Sequence, residues 1–245
     1  MELWGITNCG KKRKDNQDVF RILHDEENDV AVLVVCDGIG GARAGNIASS
    51  IAADVFVKQI ANFLETSSDP TEIAKEMTDA ICSANAVVYD KSKQSGDFFG
   101  MGTTLTAVVS TNAGEVIANV GDSRAYHITE TIVKQITRDH TVVEEMVKRG
   151  DLTRAEAKYH PKKNLITRAL GTNNKEVPDI FLLNLEVGDY ILLCSDGLSD
   201  VVLDSEFLHV LQQGNSVRKS CERFMEMALQ RGAPDNVTTV LFRKQ

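Results

Sequence analysis

Asp18, Asp37, Asp122, Asp196, Asp200 and Asp235 are scattered from one end of the chain to the other, yet they cluster at the ends of apolar segments. Asp37 follows the greasy run before "DGIGG". Asp122 lies in "NVGDSRAY", Asp196 and Asp200 in "ILLCSDGLSD", and Asp235 in "GAPDNVTTVLF"; Asp18 closes the polar run "RKDNQD". An Asp-Gly pair alone reads as a type I′ hairpin turn. Repetition of the pattern at strand ends points instead to carboxylates gathered in one place. Two such charges 4 Å apart repel by about 4 kcal/mol at an effective dielectric of 20, and too few lysines or arginines lie nearby to neutralise the set. Hard divalent cations would do so, because all-oxygen ligands select Mg2+, Mn2+ or Ca2+.

Other residues extend that chemistry. Gly38 lacks a Cβ, so its carbonyl could approach a cation closely, and Gly40 and Gly41 would release the chain into a helix from Ala44. Arg13, five residues before Asp18, offers a planar fork suited to phosphate. His24, His127, His140, His160 and His209 show no H-x-x-x-H spacing. Zinc is therefore not expected, and the histidines read as surface or packing residues.

The elements that would carry these residues are legible in outline. Ala31–Cys36, Thr104–Ser110, Val116–Val120, Tyr190–Cys194 and Thr238–Phe242 read as strands, with Glu2–Cys9 a weaker sixth. Several are almost continuously apolar, so both faces should be covered. Asn46–Leu64 carries an apolar stripe at helical spacing. Asp69-Pro70 looks like an N-cap and first turn ahead of Ile73, Met77, Ile81, Ala84 and Val88. Val217, Cys221, Phe224 and Ala228 repeat the stripe near the end. From Thr103 to Ile128 the pattern is strand, turn, strand, Gly-Asp, strand, which is an antiparallel meander. Two packed antiparallel sheets flanked by helices satisfy these demands. Residues 139–163 read as a charged, mostly helical insertion with capping boxes at Thr141-x-x-Glu144 and Thr153-x-x-Glu156.

Composition narrows the class. The 245 residues carry a net charge of −8, and the one dense basic run is Lys11–Lys14, so nucleic acid is not an expected partner. Cys9, Cys36, Cys82, Cys194 and Cys221 form no C-x-x-C pair, which suggests a reduced, intracellular chain. No signal-peptide pattern and no apolar stretch of about 18 residues stands out. A cytoplasmic protein without a membrane span is expected.

In order along the chain, the motifs are similar to those of the metal-dependent serine/threonine protein phosphatases of type 2C, the PPM family, in its compact bacterial form. They are Arg13-x-x-Asn16-Gln17-Asp18, Asp37-Gly38-Ile39-Gly40-Gly41, Gly102-Thr103-Thr104-Leu105, Gly121-Asp122-Ser123-Arg124, Thr137-Arg138-Asp139-His140-Thr141, Thr167-Arg168-Ala169-Leu170-Gly171, Ser195-Asp196-Gly197-Leu198 and Asp235-Asn236-Val237-Thr238. Each is weak alone; eight in order are specific.

The resemblance implies a four-layer α-β-β-α sandwich in the α+β class, formed by residues 1–245 as one phosphatase domain with a flap at about 139–163. It implies that Asp37 bridges two Mn2+ or Mg2+ ions, with the Gly38 carbonyl on one. Asp196 and Asp235 would hold the first ion, Asp18 would reach the second through water, and Asp122 and Asp200 would bind a third, weaker one. Asp37 and Arg13 would be the catalytic pair, Arg13 as the phosphate-binding residue. A water bridging the metals would attack phosphoserine or phosphothreonine in proteins, reversing a cytoplasmic kinase, and the enzyme would act as a monomer. Ile39 stands where relatives carry histidine or methionine and cannot donate a proton, so the general acid is unassigned.

Rival classes lack their marks. A haloacid-dehalogenase-like enzyme would want an acid at Ile39. A cysteine phosphatase needs C-x5-R, which is absent. A pseudophosphatase would lack the metal acids, and all are present.

Overall fold

All the paired strands run antiparallel, and the pairings make two separate sheets. The computed structural model describes residues 1–40 and 44–245. The first half contains β1 (Glu2–Asn8), β2 (Asp18–Asp25), β3 (Val30–Ile39), α1 (Ala44–Leu64), α2 (Pro70–Ser92), β4 (Gly102–Thr103), β5 (Leu105–Thr111) and β6 (Gly114–Val120). There follow β7 (Arg124–Ile128), β8 (Val133–Gln135), α3 (Val142–Arg149), α4 (Arg154–Ala157), β9 (Asp179–Leu183), β10 (Tyr190–Cys194), α5 (Asp196–Ser199), α6 (Asp204–Gln212), α7 (Val217–Gln230) and β11 (Val237–Arg243). One sheet has the order β1-β11-β10-β7-β8; the other has β2-β3-β5-β6-β9, with β4 paired to β3.

Period-two alternation explains why the strands are apolar throughout. In β3, Ala31, Leu33 and Val35 face a core between the sheets, where they join Val108, Ile117, Ile191, Leu193, Val240 and Phe242. Val32, Val34 and Cys36 face the opposite way, into a core shared with α1 and α2. In β10, Leu192 and Cys194 turn outward onto α6 and α7, where Phe207 packs edge-to-face on both Tyr126 and Phe224. The layers are thus helices, sheet, sheet, helices, as the sequence implies.

α2 starts as expected: Asp69 accepts from the Thr71 and Glu72 amides, and Pro70 takes the first turn. α1 is, by length and composition alone, long and apolar enough to cross a membrane, contrary to the expectation that no stretch would be. Its buried side, with Ala48, Ala52, Phe56 and Ile60, packs on the sheet and α2. Gly41, expected to release the chain into α1, lies outside the described residues.

The insertion differs from its expectation. Within 139–163 only α3, of 8 residues, and α4, of 4, are helical. Gly150, in the left-handed region at φ 80°, ends α3, and beyond α4 the chain holds no further helix or named strand until β9. The Thr153–Glu156 capping box forms in full. At Thr141 only half of it does, because Glu144 turns its carboxylate to Arg138 and Arg154.

Antiparallel register positions the acids. Asp18 begins β2 directly opposite Asp37 near the end of β3. The end of β3 lies by the start of β5, and that start pairs with the end of β6, just before Asp122. In the other sheet the end of β10, just before Asp196, pairs with the start of β11, just after Asp235. All these strand ends are therefore on one side of their sheets.

Candidate active site

Asp37 is fixed through its backbone. Its N–H donates to Thr104 Oγ1 at 2.9 Å, and its carbonyl accepts from the Thr104 N–H and Thr103 Oγ1, both at 2.9 Å. The carboxylate is thereby left for other work. Gly38 follows inside β3 rather than in a hairpin turn. Its need for glycine is also plain: a Cβ there would fall 2.3 Å from the carbonyl oxygen of Gly45 and 2.7 Å from that of Gln17. Room for α1 to approach thus demands glycine at this point.

Asp18 is reached across the seam between the sheets. Ser195 Oγ and Thr238 Oγ1, both from the opposite sheet, donate to its Oδ2 at 2.7 Å. Thr7 Oγ1 contacts Thr238 Oγ1 at 2.7 Å, and Asn16 donates to Thr7 at 2.9 Å. Only Oδ2 is served in this way; Asp18 Oδ1 is buried without a hydrogen-bond partner.

Asp196 opens α5, and Gly197 behind it lets the β11 segment close in: a Cβ at 197 would lie 1.9 Å from the Asn236 carbonyl oxygen. Asn236 is a fastener that the sequence reading did not single out. Its Nδ2 donates to the carbonyls of Cys9 (2.9 Å) and Asp15 (3.0 Å), and its Oδ1 accepts from the Gln17 amide at 2.9 Å. The loop carrying Arg13 is thus bound to the segment carrying Asp235, and Arg13 Nη2 meets Asp235 Oδ2 at 2.7 Å.

On the other side, Asp122 is buried beside Arg124, whose guanidinium forks onto Asp139 at 2.7–3.1 Å. His140, read from sequence as ordinary, is buried and has a definite task. Its Nδ1 accepts from the Gly121 N–H at 3.0 Å, next to Asp122, while its Nε2 faces Asp179 at 3.2 Å. Asp200 caps α5 and is held by Lys163 of the insertion, Nζ to Oδ2 at 2.5 Å. Between the insertion and the body runs a cleft of about 1510 Å³, whose walls include Asp122, Asp196, Asp200, His160 and Lys163.

The acids feel one another. Burial, then Asp18, Asp196, Asp122 and Asp235, push the Asp37 carboxyl well above the usual range. Burial, then Asp122, Asp235, Asp200 and Asp18, do the same for Asp196. Asp18 is raised to about 6, chiefly by burial and against the pull of Ser195 and Thr238. Asp122 is raised to about 7 by burial and Asp139.

Among the described residues no three acidic, histidine or cysteine side chains already converge on one cation position. Arg13 and Lys163 instead hold an oxygen each of Asp235 and Asp200. The donor set nonetheless fits hard divalent cations. It is all oxygen, its negative charge exceeds its side-chain cations, and Asp18 Oδ1 and Asp196 Oδ1 are buried without partners.

Comparison with known proteins gives a consistent result. A family model described as protein phosphatase 2C matches residues 7–241. "Serine/threonine phosphatase stp" of Listeria welshimeri is 34% identical over 241 residues, 97% of this chain and 94% of that protein. The crystal structure of serine/threonine phosphatase Stp1 from Staphylococcus aureus superposes with TM-score 0.91 at 33% identity, over 100% of this chain and 96% of that one. The catalytic domain of the serine threonine protein phosphatase PstP, solved in complex with two manganese ions, gives TM-score 0.81 at 32% identity over 98% and 96% of the two chains.

Proposed function

The chain belongs to the protein phosphatase 2C family, and from that premise we propose that it hydrolyses phosphoserine and phosphothreonine in proteins with the aid of Mn2+ or Mg2+. Two ions would be held by Asp37, the Gly38 carbonyl, Asp18, Asp196 and Asp235, and a third by Asp122 and Asp200. When bound, such ions supply Lewis-acid neutralisation of phosphoryl charge and lower the pKa of a water toward neutrality.

The chain's own residues do the rest. Thr103 and Thr104 fix the Asp37 backbone, and Ser195 and Thr238 orient Asp18. His140 steadies the turn before Asp122. Arg13, anchored at the rim by Asp235, keeps further N–H donors for phosphoryl oxygens. Ile39 has no proton to give, so the leaving oxygen is protonated from elsewhere.

The single observation that carries this reading is the set of buried, mutually repelling carboxylates at one end of both sheets, with an arginine beside them. The shared inter-sheet core supports one catalytic domain over residues 1–245. Five free cysteines favour a reduced compartment, the cytoplasm, where a serine/threonine kinase would supply substrate to the monomeric enzyme. The direct test is release of inorganic phosphate from a phosphoserine peptide with saturating Mn2+; no release would overturn the proposal.

Arg13→Ala is expected to raise KM about tenfold or more with little change in kcat, since a charge-assisted hydrogen bond contributes about 1.5–3 kcal/mol. An unchanged KM would reduce Arg13 to a holder of Asp235.

A further inference from the structure

Lys11, Lys12, Arg13 and Lys14 are consecutive cations in a chain of net charge −8. All four are exposed. Arg13 is engaged with Asp235. The lysines that close salt bridges among the described residues are Lys163 and Lys244, not these three.

The run is not a loose tail. Asn236 donates to the carbonyls on either side of it, at Cys9 and Asp15. The Lys11 N–H donates to the Ala233 carbonyl at 2.9 Å. Gly10, at φ +74°, lies so close that a Cβ would stand 2.1 Å from the Asp235 carbonyl oxygen. The loop is therefore pressed along residues 233–236, the segment that also presents Asp235 to the site. Neighbouring Cα atoms are about 3.8 Å apart, so Lys12 and Lys14 lie next to Arg13, which meets Asp235.

We infer that the Lys11–Lys14 loop is a subsite for acidic residues next to the phosphorylated serine or threonine, so that the preferred substrates are phosphoproteins with Asp or Glu flanks. The inference rests on the phosphatase reading above. Its physical basis is local compensation. A chain of net charge −8 repels an acidic peptide, and screening over about 8–10 Å leaves only nearby charges able to offset this. Ordered backbone under the lysines reduces the entropy lost on binding. Anionic membrane is the weaker reading of the same charges, because a bilayer seated on this loop would cover the mouth of the site.

The test compares kcat/KM for two phosphoserine peptides that differ only in Glu or Gln flanks, with saturating Mn2+ and p-nitrophenyl phosphate as a reference without flanks. The wild type should favour the Glu peptide about tenfold through KM at low salt, and the preference should shrink as salt rises. Replacing Lys11, Lys12 and Lys14 together by Gln should abolish the preference and leave p-nitrophenyl phosphate turnover unchanged. Should the triple variant fold poorly, Lys12→Glu alone should weaken the preference by severalfold. No preference in the wild type would overturn the inference. So would a preference surviving in the variants, or a loss confined to binding of phosphatidylserine vesicles. Absence of hydrolysis of either peptide would instead overturn the phosphatase reading itself.

Discussion

Asp37→Asn should lower kcat by at least ~100-fold while raising the melting temperature of the cation-free chain. The loss follows from the role proposed for it: Asp37 sits buried among Asp18, Asp196, Asp122 and Asp235, and an amide there would be a poorer ligand for the ions it would hold. Loss of one preorganised electrostatic contact at a reacting centre costs about 10²–10³ in kcat. The gain has the same origin. Without cations, burial and four like charges disfavour the charged form of this carboxyl, so folding near neutral pH must overcome that penalty, which an amide of equal size does not carry. The hydrogen bonds from Thr103 and Thr104 meet the backbone of residue 37, so the substitution leaves them intact. Steady-state kinetics with Mn2+ and thermal unfolding in chelator would measure both effects. Near-wild-type turnover would remove Asp37 from the centre of the chemistry, and a lowered melting temperature would contradict the repulsion argument.

Stripping the protein of divalent ions should abolish turnover and make its stability fall as pH rises from about 4 to 7. Asp18 and Asp122 have folded-state pKa values of about 6 and about 7, above the ordinary value of 3.8. Between those limits the folded chain binds more protons than the unfolded one. Raising pH therefore withdraws stability progressively, and the loss is complete above the folded values. At about 1.4 kcal/mol per tenfold change in acidity, Asp18 alone accounts for about 3 kcal/mol. That is a sizeable share of a typical 5–15 kcal/mol total and corresponds to a fall on the order of 10 °C. Saturating Mn2+ should flatten the curve, since each site filled to 100 times its Kd adds about 2.7 kcal/mol. Scanning calorimetry across pH, with chelator and then with Mn2+, checks this. Full activity in excess chelator, or a cation-free stability that climbs across the same window, would contradict it.

The sequence was most readable where burial is two-sided. β3, β5, β6, β10 and β11 announce themselves because each serves two cores, and so do the acids at their ends. β2 and β9 did not, because they are edge strands and only partly buried; Arg21 and His24 interrupt β2, and β9 is only five residues long. α5 escaped notice because its 4 residues are too few for a helical stripe.

At the site, side chains with strong chemical type were found, while those that work by position were not. Asn236 and His140 act through hydrogen bonds to backbone distant in sequence, three from Asn236 and one to the Gly121 N–H from His140, and nothing local marks such bonds in advance. Ser195 in "CSDG" could have been picked out, because a hydroxyl next to a carboxylate in a motif is a ready donor; Thr104 in "GTT" acts the other way, accepting from the Asp37 N–H. Gly38 and Gly197 are required by backbone packed against them, a reason that nothing in their local sequence displays.

Asn236 has a wider consequence. One amide group ties together the loop that carries Arg13 and the strand end that carries Asp235. With the roles proposed for those two residues, affinity for the incoming ester and affinity for the ions would be geared to each other. A lineage drifting toward new targets could vary either side separately only by leaving this residue alone.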